Sequence, residues 1–237
     1  MNIEATDIAI IGAGPAGAIA AALLRQHGYQ VTVIERQLFP RFSIGESLLP
    51  QCMEFIEQAG MLEAVKTAGF QFKNGAAFSR NGNSTKFDFT QKFTTGPGTT
   101  FQVQRAEFDH ILAQQAEQAG ADIRYEHSLE SVEFDDTGAT LLVDTATENY
   151  NLRCKFLLDA SGFGRVLPRL LNLEAPSNFP VRTSLFTHIE DNISDTDFDR
   201  EKILITIHPE HTDVWYWLIP FADGRSSLGI VADNHYF

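Results

Sequence analysis

The sequence contains little cysteine. Its 237 residues include two, Cys52 and Cys154, and neither belongs to a C-x-x-C pair. A disulfide framework and a zinc motif both require more cysteines at closer spacing, so we predict no disulfide and no metal site. Two reduced thiols are typical of a cytoplasmic protein, and the cytoplasm is the location that we predict.

Basic residues are also scarce. The 18 Lys and Arg residues stand against 31 Asp and Glu, and the formal net charge is −13. A surface of this sign repels phosphate backbones, which excludes nucleic acid as a partner. No apolar run approaches the roughly 18 to 20 residues of a membrane span. Residues 1–7 carry two acids and no base, so they lack the positively charged start of a signal peptide.

Hydrophobic residues, by contrast, make up 43% of the chain and include nineteen Phe, which indicates a globular protein of one large or two small domains. The chain begins with the pattern of a βαβ unit. Residues 7–11 and 30–34 are short apolar runs typical of buried strands, and residues 16–27 form a helix that ends before Gly28. This order predicts a parallel sheet with a right-handed crossover.

The rest of the chain combines helix and strand patterns. Asn74-Gly75 and Asn81-Gly82 predict two hairpin turns within residues 70–89. Further helices are predicted at residues 49–59, 106–118 and 165–171. Further strands are predicted at residues 102–104, 123–125, 129–134, 140–144, 155–159, 183–189, 203–208, 214–219 and 227–232.

The predicted fold class is α/β, with a doubly wound parallel sheet that carries the βαβ unit and a second, antiparallel sheet domain on the substrate side. The first domain comprises residues 1–68 and 101–175. The second comprises residues 69–100 and 176–237. Both domains are therefore discontinuous in sequence.

The turn after the first strand matches G-x-G-x-x-G, and Pro15 and Ala16 lie within the motif. Gly12 permits the tight turn, Gly14 lets the backbone approach a pyrophosphate, and Gly17 lets the helix pack closely on the sheet. The helix N-terminus then stabilises the phosphates. The motif predicts a dinucleotide site, and by itself it does not separate FAD from NAD.

Glu35 ends the second strand, 23 positions after Gly12. At this distance a carboxylate accepts hydrogen bonds from the ribose hydroxyls of a dinucleotide. A carboxylate here also argues against a 2′-phosphate, so NADP is not the dinucleotide predicted for this site.

Four segments resemble flavin-dependent halogenases and their FAD-dependent oxidoreductase relatives, which share the p-hydroxybenzoate hydroxylase type of fold. Residues 39–50 read FPRFSIGESLLP, like the segment after the first βαβ unit in that family. Residues 69–78, GFQFKNGAAF, resemble its lysine segment, and residues 157–165, LLDASGFGR, resemble its second flavin-contact turn. Residues 215–220, WYWLIP, match the W-x-W-x-I-P pattern of the halogenases.

The resemblance implies FAD as the cofactor and places the loop around Gly45 against the flavin or its ribityl chain. In the alternative interpretation this loop only leads into a helix that Ser47 caps. The predicted cofactor-binding residues are Gly12, Gly14, Pro15, Ala16, Gly17, Glu35, Arg36, Arg41, Gly45, Glu46, Ser47, Arg105, Asp159 and Gly162. Glu46 is also predicted as catalytic.

Two of these assignments depend on the resemblance alone. Arg105 precedes the long helix, where related flavoproteins use an arginine near the pyrophosphate; a surface salt bridge is the alternative. Asp159 ends an apolar strand before a turn that related proteins pass near the adenosine half of FAD. A purely structural Asx-type turn is the alternative there.

Lys73 is the second predicted catalytic residue. Burial disfavours the charge of a lysine and lowers its pKa, and the resulting neutral amine can bind hypochlorous acid or become a chloramine. The resemblance implies this role. However, Lys73 directly precedes Asn74-Gly75, and an exposed lysine at a hairpin turn is the alternative interpretation.

Trp215 and Trp217 point to the same face of a predicted strand, because side chains alternate along it. The resemblance implies a wall that keeps the organic substrate away from the flavin. The alternative is an ordinary sheet face packed on a core.

The resemblance implies that reduced FAD, oxygen and halide give hypohalous acid, which is directed to a lysine. The implied substrate that becomes halogenated is an electron-rich organic compound, either a free small molecule or one bound to a carrier. A separate flavin reductase is the implied partner. Two alternatives stay open, a non-halogenating FAD-dependent monooxygenase or reductase and an FAD-binding module without turnover. Family members continue well beyond the length of this chain, so we expect the second domain to be truncated.

Overall fold

The computed structural model describes residues 3–194 and 198–237. The chain divides into two compact units, and the first, called unit 1, comprises Met1–Ser43, Phe55–Val65 and Arg105–Ala175. The second, called unit 2, comprises Ile44–Glu54, Lys66–Gln104 and Pro176–Phe237. No helix among the described residues is both long and apolar enough to cross a membrane.

Unit 1 is built on a six-stranded sheet in the order β7-β2-β1-β10-β9-β8. Its strands are β1 (Ile3–Ile11), β2 (Val31–Glu35), β7 (Asp122–Tyr125), β8 (Ser128–Asp135), β9 (Gly138–Asp144) and β10 (Asn149–Asp159). Its helices are α1 (Pro15–Gln26), α4 (Arg105–Gln118) and α5 (Val166–Leu170).

The first four strands of this sheet are parallel, as the βαβ pattern predicts. Strands β8 and β9 pair antiparallel beside β10, so the parallel part of the sheet carries an antiparallel extension. Its core includes Ala9, Ile34 and Leu141, all nearly or fully buried. All five residues of β2 are buried, which explains why three of them are apolar. The other two are Thr32 and Glu35.

Unit 2 contains a six-stranded sheet in the order β11-β14-β13-β12-β4-β5 and a two-stranded sheet of β3 with β6. Its strands are β3 (Gln71–Lys73), β4 (Gly75–Arg80), β5 (Asn83–Asp88), β6 (Thr100–Gln102), β11 (Thr183–Glu190), β12 (Lys202–Ile207), β13 (Trp215–Pro220) and β14 (Arg225–Ala232). The larger sheet is antiparallel except where β12 runs parallel to β4.

Two short helices, α2 (Gln51–Gln58) and α3 (Leu62–Thr67), complete the regular elements described here, together with 3-10 turns at Gly162–Gly164 and Asn234–Tyr236. The sequence predicted α2 as a longer helix over residues 49–59 and did not predict α3. Gly60, in the left-handed region at φ 77°, lies between them and ends α2.

One of the two predicted hairpin turns is wrong. Asn81 and Gly82 form a two-residue turn with positive φ at both positions and join β4 to β5. Asn74, by contrast, separates β3 from β4, and these strands belong to different sheets. Its side-chain amide bonds to Glu201 and Lys202, so tertiary contacts replace the turn that the dipeptide favours.

The predicted domain bounds differ from the units at residues 44–54, 66–68 and 101–104, which were assigned to the first domain and lie in unit 2. Backbone hydrogen bonds explain part of the difference. Leu48 N–H donates to the Phe101 carbonyl at 3.1 Å, and Val103 N–H donates to the Glu46 carbonyl at 2.7 Å. These segments therefore pair with each other beside β6.

Candidate functional site

Two glycines of the G-x-G-x-x-G turn in unit 1 are required by the packing of the protein itself. A Cβ atom on Gly12, whose φ is 95°, would lie 2.8 Å from the Ala160 carbonyl oxygen. A Cβ atom on Gly17 would lie 1.9 Å from the Gly12 carbonyl oxygen. The turn after β1 therefore packs directly on the turn after β10, and α1 packs directly on the glycine turn.

Gly14 has room for a Cβ atom instead. The nearest atom to a Cβ built there is Arg41 Nη2, the flexible end of a side chain, at an ordinary contact distance of 3.5 Å. Gly14 is the N-cap of α1, and Pro15 is the first helical residue. The space that a side chain would fill thus lies at the positive end of the helix dipole, where an anionic group is stabilised.

Glu35 is buried at the end of β2, with 5% of its surface exposed. Its Oε2 accepts from the Ala13 N–H at 2.8 Å, and its Oε1 accepts from the Gln37 N–H at 2.9 Å. The carboxylate therefore holds the glycine turn. Each oxygen has a further lone pair for a ligand hydroxyl.

Asp109 holds two predicted arginines together. Its carboxylate is fully buried and accepts from Arg41 Nη1 at 2.7 Å, Arg105 Nε at 2.6 Å and Arg105 Nη2 at 2.9 Å. Arg105 is thus in a buried ion pair, which contradicts the alternative of a surface salt bridge. Sequence reasoning missed Asp109, because the helix was predicted to begin at residue 106; α4 begins at Arg105, which makes Arg105 and Asp109 an i,i+4 pair.

These groups line one cleft of about 860 Å³ in unit 1. A volume of this size suits a cofactor or drug-sized ligand. The predicted residues that line it are Gly12, Gly14, Pro15, Ala16, Glu35, Arg36, Arg41, Arg105 and Gly162. The cleft thus combines guanidinium groups, a helix N-terminus and a carboxylate, which are the donors and acceptors that a dinucleotide requires.

Asp159 has a structural role in the turn after β10. Its Oδ1 accepts from the Ser161 N–H at 2.9 Å and its Oδ2 from the Leu167 N–H at 2.8 Å. The bond to Ser161, two residues on, is the Asx-type turn of the structural alternative, and the bond to Leu167 ties this turn to the first turn of α5. Asp159 itself does not line the cleft, whereas Gly162 on the same turn does.

The loop around Gly45 lies in unit 2. Gly45 has φ 103°, a conformation that favours glycine. The side chain of Glu46 is fully buried, and its Oε1 lies 2.7 Å from Nε2 of His188, a residue that sequence reasoning missed. Glu46 Oε2 and Ser47 Oγ are buried without a hydrogen-bond partner among the described residues. A buried acceptor in this state suits a ligand or water donor.

Lys73 is buried, with 2% of its surface exposed. The alternative of an exposed turn lysine is therefore wrong. Its Nζ donates to the Leu48 carbonyl at 2.6 Å and lies 5.1 Å from the centre of the Phe89 ring. Desolvation lowers the pKa of Lys73 from 10.5 to about 8. No carboxylate forms an ion pair with this amine within the described ranges.

Trp215 and Trp217 lie on the same face of β13, with ring centroids 6.1 Å apart. Trp217 Nε1 donates to Ser227 Oγ at 3.0 Å, and its ring covers Gly229, where a Cβ atom would lie 2.2 Å from the ring. Trp217 is 8% exposed and joins a core cluster with Ile219. The packing alternative therefore holds for Trp217, and a role as a substrate wall stays a prediction.

Comparison with known proteins adds a family and several relatives. A model of the FAD binding domain family matches residues 5–231. A tryptophan 2-halogenase of Chondromyces crocatus is 30% identical over 99% of this chain and 44% of its own length. A pyrrole-2-carbonyl-[peptidyl-carrier protein] chlorinase of Pseudomonas fluorescens is 27% identical over 98% of this chain and 56% of its own.

A solved structure of similar fold is a flavoprotein/dehydrogenase from Cytophaga hutchinsonii, with a TM-score of 0.93 and 41% identity over 98% of this chain and 57% of that one. The chain thus spans about half the length of these relatives.

Proposed function

The chain belongs to the FAD binding domain family, and from this membership we propose that it is part of a halogenase-like, FAD-dependent oxidoreductase. The predicted cofactor, FAD, and the predicted resemblance to flavin-dependent halogenases are both confirmed. The activity, substrates and partners of the whole protein belong to the proposal.

The residues of unit 1 fit FAD. Gly14 leaves room at the start of α1, while Arg41 and Arg105 supply positive charge in the same cleft. Glu35 holds the glycine turn and is the acceptor for ribose hydroxyls. When bound, FAD supplies the redox chemistry by which oxygen and halide give hypohalous acid.

The observation that carries the halogenase proposal is the buried amine of Lys73. A lysine with a pKa of about 8 holds a neutral amine in roughly a tenth of its molecules at pH 7. No carboxylate is paired with this amine among the described residues, and the partners that it has there, the Leu48 carbonyl and the Phe89 ring, are neutral. Relatives of this chain are named as halogenases, and a neutral lysine amine is a nucleophile that can take up an electrophilic halogen.

In the proposed reaction, the Lys73 amine takes the halogen from hypohalous acid, and water leaves. Lys73 Nζ is fixed by its hydrogen bond to the Leu48 carbonyl, which keeps its lone pair in one place. Glu46, whose Oε2 is buried without a partner among the described residues, is the acceptor that orients the donor group of a bound species. Trp215 forms the wall on the substrate side.

The substrates that we propose are electron-rich organic molecules, either free or attached to a carrier protein. One relative is named for tryptophan and another for a carrier-bound pyrrole. Oxygen and halide are the proposed co-substrates, and a separate flavin reductase is the proposed source of reduced FAD.

A second candidate is a non-halogenating FAD-dependent monooxygenase or reductase. It is favoured by the 41% identity to a flavoprotein/dehydrogenase, which exceeds the identity to either halogenase described above. In such an enzyme Lys73 would serve packing and have no part in halogen transfer.

The experiment that tests the proposal compares Lys73→Ala and Lys73→Arg with Lys86→Ala in the full-length protein. Lys86 is exposed on β5 in the same unit and is the matched control. We expect both Lys73 variants to lose halogenated product, because alanine has no amine and the arginine guanidinium stays charged. FAD binding and the oxidation of reduced flavin by oxygen should continue in both.

The measurement is mass spectrometry of products with chloride and with bromide, beside stopped-flow oxidation of reduced flavin. Halogenated product at the wild-type level from Lys73→Ala would remove Lys73 from the reaction. Halide-independent oxygenation or reduction by the wild type would establish the second candidate instead.

A further inference from the structure

Cys52 and Lys73 lie in the same buried corner of unit 2. Thr100 is the register partner of Lys73 in the β3–β6 pair, so the two side chains share one face of that ribbon. Thr100 Oγ1 lies 4.0 Å from Cys52 Sγ. Cys52 and Lys73 also interact electrostatically with each other.

Backbone hydrogen bonds of residues 48–52 also place Lys73 and Cys52 near each other. Lys73 Nζ donates to the Leu48 carbonyl, and Cys52 N–H donates to the Leu49 carbonyl at 3.1 Å as α2 begins. Lys73 is therefore held between residue 48 on one side and Thr100 on the other. Cys52 lies beside Thr100 and is four residues after Leu48 in sequence.

The Cys52 thiol and the Lys73 amine are both potential nucleophiles, and burial shifts their pKa values in opposite directions. Burial raises the pKa of the Cys52 thiol, so the sulfur is held protonated. Burial lowers the pKa of Lys73, so the amine is the more readily available nucleophile for an electrophilic halogen. Cys52 is half-buried, whereas the second cysteine, Cys154, is 1% exposed in the core of unit 1.

We propose that Cys52 is an oxidative off-switch for Lys73: when hypohalous acid is not consumed by substrate, the two side chains join through a sulfur–nitrogen bond. The proposal rests on the function proposed above for its source of oxidant. It adds a modification site that the halogen-transfer reaction does not need.

The chemistry proceeds in two steps. The amine takes the halogen from hypohalous acid, forming an N–halogen bond and releasing water. The Cys52 sulfur then attacks Lys73 nitrogen: the nitrogen–sulfur bond forms, the nitrogen–halogen and sulfur–hydrogen bonds break, and a proton and a halide ion leave. Sulfur loses two electrons and the halogen gains them, and the product is a sulfenamide, a known product of cysteine oxidation.

The bond removes the amine from halogen transfer and protects the corner from further oxidation. A small thiol reverses it by attacking the sulfur, which returns the lysine amine and leaves a mixed disulfide for a second thiol to resolve. Halogenation would then stop when substrate runs out and resume under reducing conditions.

The test uses the intact protein and adds sodium hypobromite in equimolar amount, so no turnover is needed. Peptide mass spectrometry without reductant is expected to show the Cys52 peptide joined to the Lys73 peptide, with two hydrogens lost. Dithiothreitol should separate them. The same treatment of Cys52→Ser should give no cross-link, while Cys154→Ser should cross-link like the wild type.

A further control treats the heat-unfolded wild type with the same amount of hypobromite, where the cross-link should disappear because the fold no longer holds the two side chains together. Sulfinic acid on Cys52 with an unmodified Lys73 in the folded protein would overturn the proposal. A cross-link without any halogenated product in turnover would refute the proposed function and with it the source of oxidant for the switch, while the reaction between Cys52 and Lys73 would stand. Halogenated product without a cross-link would refute the switch alone.

Discussion

Asp109 Oδ2 lies 2.7 Å from Arg41 Nη1, although the two residues are 68 positions apart in sequence. The same carboxylate also binds Arg105, so one buried negative charge holds two guanidinium groups on one side of the unit 1 cleft. Without it, two like charges would repel each other there, and neither would be oriented.

Asp109→Asn should weaken FAD binding by about 1.5 to 3 kcal/mol, the usual contribution of a hydrogen bond that involves a charged group. The amide keeps the shape of the side chain and loses its charge, so Arg41 and Arg105 are no longer held together. Isothermal titration with FAD measures the change. Asp122→Asn, at the exposed Arg124 ion pair, is the control and should bind normally. Equal affinities of the two variants would contradict this account.

Gly14→Ala and Gly17→Ala should separate cofactor binding from folding. At Gly14 the added Cβ makes only ordinary contacts, with Arg41 Nη2 at 3.5 Å and Asp109 Oδ2 at 4.0 Å, so the variant should fold and lose yellow cofactor. At Gly17 the added Cβ overlaps the Gly12 carbonyl, so that variant should be destabilised by several kcal/mol. Flavin absorbance and thermal unfolding together distinguish the two. A folded Gly14→Ala protein with stoichiometric FAD would show that the cleft is not the FAD site.

Glu35→Ala should weaken FAD binding by about 1.5 to 3 kcal/mol, because it removes a charged acceptor for ribose hydroxyls. It also frees the Ala13 N–H, so the glycine turn loses a contact. Glu35→Gln keeps one acceptor oxygen and should bind with intermediate affinity. If titration gives the same dissociation constant for all three proteins, Glu35 has no part in binding.

The reactivity of Lys73 should follow its lowered pKa. Because the neutral amine is the reactive form, acetylation of Lys73 by acetic anhydride should rise with pH and reach half its maximum near pH 8. Mass spectrometry of the Lys73 peptide in the Cys52→Ser variant gives this profile without a competing thiol. A midpoint near 10.5 would mean that burial does not depress the pKa.

The same shift makes stability depend on pH. The folded pKa of about 8 lies below the unfolded value of 10.5, so between these values the unfolded chain binds the proton that the folded chain lacks. The Lys73 contribution to the free energy of unfolding should therefore rise by about 3 kcal/mol across that window. Urea unfolding at pH 7 and pH 10 should show this rise in the wild type relative to Lys73→Met. A parallel pH dependence in the two proteins would refute it.

Local sequence patterns predicted those parts of the fold and of the site whose residues are close together in sequence. The glycine turn, α1 and β2 follow within 25 residues of each other, so their geometry is encoded by neighbours in sequence. The contacts that were missed join distant segments: His188 meets Glu46 across 142 positions, and Asp109 meets Arg41 across 68. No periodicity or motif reports such pairings, because they depend on how sheets and helices pack.

The predicted domain bounds differ from the two units for the same reason. Residues 44–54 follow the βαβ unit in sequence, yet their backbone pairs with residues 101–103 in unit 2. A β-ladder between two segments so far apart leaves no signal in either one. Lys73 shows the opposite case, since its family segment indicated burial where the adjacent Asn-Gly pair indicated exposure.

The two Asn-Gly pairs should also differ in their rate of deamidation. Deamidation at such a pair requires the glycine nitrogen to reach the side-chain carbonyl carbon of the asparagine, which a mobile turn allows. Asn81 is exposed in the β4–β5 turn, so it is the expected site of this damage in stored protein. Asn74 has its amide nitrogen on Glu201 and its amide oxygen on Lys202, and this clamp should keep the residue next to Lys73 chemically intact.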